Sequence, residues 1–100
     1  MPLYTVLRRF PGATETDLQA AAFRSLTCLP YHSGLAWLRS YWDAESEALT
    51  CIFEARSEED IRFHAERASI PCDSVIQVQE FLPADLVAHH MGEAVEASLS

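Results

Sequence analysis

Residues 35–56, LAWLRSYWDAESEALTCIFEAR, read as two β-strands (35–43 and 48–56) around the short polar turn AESE. A hairpin at the centre of the chain leaves few folds open, and the segments flanking it narrow the choice further. Ahead of it, LYTVLRRF (3–10) carries β-formers in loose alternation, and PGATETD breaks that strand. Thr14 with Asp17 three residues later forms a capping-box variant. Leu18, Ala21, Ala22, Ser25, Leu26 and Leu29 then mark one helical stripe, ended by Pro30 and Gly34. After the hairpin, Ser57 caps a second helix whose first turn holds Glu58, Glu59 and Asp60, where acids favour the helix dipole. Ile61, Ala65 and Ala68 are its inward stripe, and His64 falls among them. IPCD stops this helix, VIQVQEFL (75–82) reads as a fourth strand, and Pro83 ends it.

The order is therefore βαββαβ, the α+β ferredoxin-like pattern. Right-handed crossovers put both helices on one face of a four-stranded antiparallel sheet. Pairing hairpin residues whose numbers sum to about 91, as a four-residue loop requires, sorts their faces. Leu38, Ser40, Trp42, Leu49, Cys51, Phe53 and Ala55 share the helix-facing side. Trp37, Arg39, Tyr41, Ile52 and Glu54 share the other. An aromatic-bearing sheet face should not stand bare in water. The expected cover is a second copy packed face to face, a homodimer of the dimeric α+β barrel type. One domain is expected over residues 1–83, with 84–100 a C-terminal tail that is a weak helix or disordered.

Composition excludes several classes. The net charge of -8 disfavours nucleic acid and anionic membranes as partners. All seven basic side chains are Arg, so a lysine Schiff base is excluded. Cys28, Cys51 and Cys72 are odd in number and widely spaced, the usage of reduced thiols in a cytoplasmic protein. MPLYTVLRRF places its charges after its apolar residues, unlike a signal peptide, and no apolar run is long enough to span a membrane.

Two places can carry chemistry. On the helix-facing side, His64 and Cys51 within hydrogen-bond reach would be a base with its nucleophile, or half a metal site. The plainer alternative is a buried His bonded to a hydroxyl or carbonyl beside a small apolar Cys. On the open side, Trp37 and Tyr41 offer a stacking wall, Arg39 a clamp for carboxylate or phosphate, and Glu54 an acid or base. Tyr4 and Arg8 join this wall if the first strand presents them to that side. The alternative there is a Glu–Arg pair sealing a dimer interface. His89, His90 and Glu93 have ligand-like spacing but sit in the tail, and His32 in LPYHSG reads as a surface-loop residue.

RSYWD and CIFEARSEEDIRFHAERASIPCDSVIQVQE resemble the small bacterial proteins grouped as domain of unknown function 4242, which include a nickel-binding, nickel-responsive branch. The likeness runs over residues 3–82. It rests on Tyr41–Trp42, Cys51, Glu54–Ala55, the capped helix with His64, and Val75 through Glu80. It implies a ferredoxin-like fold and a dimer. Metal-binding members tend to carry His in strand one and helix one, where this chain has TVLRR and QAAAFRS. The resemblance thus transfers only His64 as a ligand, with Cys51 at a matching position. The expectation is a homodimer binding a small organic molecule without a cofactor, with His64 or Glu54 as general acid–base and Tyr41 and Arg39 orienting the ligand. A nickel or zinc protein using His64 with Cys51 or the tail histidines is the alternative, followed by a plain interaction module.

Overall fold

Thr14 and Ser57 set where the helices begin. Thr14 Oγ1 accepts from the Asp17 amide at 3.1 Å while the Thr14 amide donates to Asp17 Oδ2 at 2.9 Å, so the capping box is complete and opens α1 (Glu15–Cys28). Ser57 Oγ accepts from the Asp60 amide at 3.3 Å and opens α2 (Glu58–Ala68). Ser69 ends α2 in the left-handed region at φ 54°, its amide turned back onto the carbonyls of Ala65 and Glu66. A 3-10 turn, Leu29–Tyr31, follows α1.

The structure, a computed structural model, describes residues 1–85. The expectations for the tail beyond Asp85, including His89, His90 and Glu93, lie outside the described residues. Strands β1 (Leu3–Arg9), β2 (Ala36–Asp43), β3 (Ala48–Glu54) and β4 (Ser74–Val78) form one sheet in the order β2-β3-β1-β4, every pair antiparallel. This is the ferredoxin-like α+β arrangement that the element order predicts. In the hairpin turn, Asp43 Oδ1 accepts from the amides of Glu45 and Ser46, at 3.0 and 3.5 Å. β4 stops at Val78 rather than continuing to residue 82, because Val78 pairs with Leu3, the first residue of β1, and no ladder partner remains beyond it.

The core lies between the sheet and the helices. Val6, Cys51, Phe53 and Val75 from the strands pack with Ile61 from α2. Ala21 of α1 meets Ala65 and Ala68 of α2, and these small side chains let the two helices approach closely. Among the described residues the opposite face of the sheet carries no helix. Tyr41 and Ile76 on it are 61% and 57% exposed.

The hairpin departs from the expected register at one point. The pairs Arg39↔Ile52 through Asp43↔Ala48 follow the expected sum, but Trp37 pairs with Phe53. Leu38 is the extra residue of a β-bulge and is 42% exposed. The bulge turns Trp37 to the helix side, where its ring stacks on Phe53 at 6.3 Å and 12° and its Nε1 donates to Ser40 Oγ at 2.7 Å. Leu38 faces outward instead of inward.

Candidate functional site

The sheet divides the residues singled out in the sequence into two groups that do not meet. β1 pairs Tyr4 with Phe53, Val6 with Cys51 and Arg8 with Leu49, and Tyr4, Val6 and Arg8 are all buried under the helices. This corrects the expectation that Tyr4, Arg8 and Trp37 line the open face: they belong to the helix side with His64 and Cys51. Arg39, Tyr41 and Glu54 remain on the open face. There Arg39 does not pair with Glu54. Its Nη2 meets Glu80 Oε1 at 2.8 Å, linking β2 to the segment after β4. An open depression of about 410 Å³ at the end of the sheet includes Glu54 and Glu80 but neither Trp37 nor Tyr41. The aromatic, Arg-clamped pocket expected on this face is absent among the described residues.

On the helix side, α2 carries His64 into the core by placing it one turn from Ile61 and Ala68, and no part of it reaches solvent. Its Nε2 lies 2.9 Å from the Ser25 carbonyl of α1. A carbonyl only accepts, so Nε2 bears the proton and Nδ1 carries the lone pair. Nδ1 is buried and has no hydrogen-bond partner. His64 and Cys51 are therefore not a bonded base–nucleophile pair, although Cys51 is buried on the same side of the sheet. Burial holds the His64 pKa below its ordinary value of 6.5, and the positive charges of Arg8 and His32 add to the effect while the Ser25 bond opposes it.

His32 sits in the loop, as expected, but is half-buried, and the sequence reading did not foresee its contact with His64. The 3-10 turn returns the chain toward α2, with the His32 amide donating to the Leu29 carbonyl at 2.9 Å. The His32 ring then stands edge-on to His64 with centroids 5.4 Å apart. Its Nε2 is buried and unpartnered. Pro30 at the start of that turn is the only local signal of the bend. His32 also lines an open depression of about 610 Å³ with Tyr31, Phe63, Glu66 and Arg67, while His64 lies behind it, fully buried.

Two unpartnered imidazole nitrogens on adjoining rings suit a borderline-soft divalent cation. A ligating His commonly donates its other ring N–H to a backbone carbonyl, which fixes tautomer and ring plane, and the His64–Ser25 bond is such a contact. With metal–nitrogen bonds of about 2.1 Å, two imidazoles sharing an ion put their ring centres roughly 5 Å apart. Among the described residues no group of three or more His, Cys, Asp or Glu side chains converges to hold a metal ion, so the His32–His64 pair would supply two nitrogens and no third protein donor. Cys51 does not complete it. No helix of the described residues is long and apolar enough to cross a membrane.

A family model described as nickel responsive protein SCO4226-like matches residues 4–78. Among solved structures, the crystal structure of SCO4226 from Streptomyces coelicolor A3(2) matches with a TM-score of 0.70 at 21% identity, over 80% of this chain and 99% of that one. At that identity the likeness speaks for the fold. No curated protein matches.

Proposed function

We propose that this chain, which belongs to the SCO4226-like family of nickel responsive proteins, binds a divalent transition metal of the nickel class through His64 Nδ1 and His32 Nε2. The observation that carries this reading is the His64 ring. One nitrogen is committed to the Ser25 carbonyl, and the other is left buried, lone pair free, beside a second imidazole. Two nitrogens leave several coordination positions for water or for donors of another molecule, as a responsive rather than purely structural site needs. The acid–base reading has less support, because His64 is fully buried and bonded to the Ser25 carbonyl, and Glu54 borders an open depression at the end of the sheet.

Equilibrium dialysis of untagged protein against nickel tests the proposal. The expected outcome is close to one ion per chain, with binding weakened by about tenfold or more in His32→Ala and in His64→Gln. Loading of less than about one-tenth ion per chain, or both variants binding as the parent does, would remove it.

The proposed partner is a second copy laid over the open face. Leu3, Leu7, Ile52 and Val78 are half-buried there beside the exposed Tyr41 and Ile76. A face of this kind loses apolar area to water unless it is covered. Light scattering should give twice the chain mass for the parent and the single-chain mass for Ile76→Glu, which puts a carboxylate at the middle of that face. A parent of single-chain mass at micromolar concentration would end the dimer reading.

A further inference from the structure

We propose that Arg8 holds a small monovalent anion, of halide size, in the cavity between α1 and the sheet. Arg8 is only 2% exposed. A guanidinium does not give up its proton inside a protein, so the charge is permanent. Its Nη1 donates to the Pro71 carbonyl at 2.6 Å, and the group lies 5.6 Å from the centre of the Phe53 ring. These are neutral partners. The ion pairs among the described residues are Arg39–Glu80 and Arg62–Glu58, and neither involves Arg8. Nη2 is buried with no acceptor among the described residues.

A buried charge without a counter-charge is among the least favourable arrangements a core can hold. His64 cannot relieve it, since that ring is neutral or positive, and the Arg8 charge already disfavours its protonation. Beside Arg8 there is a cavity of about 30 Å³, lined also by Ser25, Trp37, Cys51 and Phe53. That volume suits one water or one halide and is too small for phosphate, sulfate or an organic acid. A water would satisfy the Nη2 hydrogen bond but leave the charge unopposed. A halide satisfies both. Ser25 of α1, whose hydroxyl can donate a hydrogen bond, also lines the cavity, and no acidic side chain does. The site does not depend on the metal reading: Arg8 is no ligand of the His32–His64 pair, and the anion answers a different unpartnered atom.

The test is a crystal of the full chain grown in bromide, with data collected at the bromine absorption edge. An anomalous peak within hydrogen-bond distance of Arg8 Nη2 supports the proposal. No peak there, with water or nothing in the cavity, overturns it. Thermal melts at fixed pH and ionic strength, exchanging gluconate for chloride, provide the solution counterpart. The parent should gain about 2 °C or more, and Arg8→Met should lose that gain while keeping any general salt effect. Equal melts of the parent in chloride and gluconate would also overturn the proposal. Should Arg8→Met fail to fold, the bromide peak decides alone.

Discussion

Phe53→Ala is expected to lower the unfolding free energy by about 3–5 kcal/mol, the largest loss foreseen for any single side chain here. Phe53 is 1% exposed at the middle of the sheet. Its ring is stacked by Trp37, met by His64 at 5.9 Å and overlain by the Arg8 guanidinium. Removing it leaves a cavity that the stiff strand β3 cannot collapse into. It also strips Arg8 of the aromatic face that partly offsets its charge. Set against a total of about 5–15 kcal/mol for a domain, the loss leaves a marginally folded protein. Urea denaturation measures it. Phe53→Leu, which keeps most of the volume, should cost less than half as much, and the cost of Phe53→Ala should appear in the midpoint rather than in the slope. A loss below about 1 kcal/mol would mean that the Trp37 and His64 rings close over the gap.

What was legible in the sequence was local. Thr14–Asp17 and Ser57 announce helix starts because a cap is satisfied within three residues, and AESE announces its turn for the same reason. Element order then yields the sheet topology without further information. The facing of side chains was legible only where alternation ran unbroken, from Arg39 to Asp43 and along β3. At Trp37–Leu38 two large apolar residues stand side by side, and nothing local says which is the extra one. The choice is made by the Phe53 ring and the Ser40 hydroxyl, which reward Trp37 and not Leu38 for turning inward. β1 posed the same problem with opposite signs. An inward Arg8 with an outward Leu7 looks wrong, until the distant Pro71 carbonyl and Phe53 ring are in place to receive the guanidinium. His32 sits in a string of turn formers, and only the packing of the 3-10 turn against α2 takes it from the surface to His64. The His32–His64 pair was thus half visible: the histidine on a periodic helix could be seen, and the one on a loop could not.

Acidification of the metal-free protein from pH 7 to pH 5 is expected to destabilise it through His64. Its native pKa lies below the ordinary 6.5 because the ring is buried and faces Arg8 and His32. The unfolded chain therefore binds a proton that the native state refuses, and stability rises with pH wherever that difference exists. The contribution is complete above the unfolded value. It falls as pH drops below about 6.5 and stops falling only once pH passes the depressed native value. The slope for one proton is at most about 1.4 kcal/mol per pH unit. His64→Gln should flatten it while its amide keeps a donor for the Ser25 carbonyl, so that the variant stays folded at pH 7. Chemical denaturation in chelator at several pH values measures both proteins. The same groups bear on the proposed metal binding. A native His64 that stays unprotonated as pH falls keeps Nδ1 available to an ion below the pH at which a free imidazole would have been lost to protons. Acid slopes that are identical in the parent and in His64→Gln would show that other groups govern the pH response, and would remove the reason to expect metal binding to persist at mildly acidic pH.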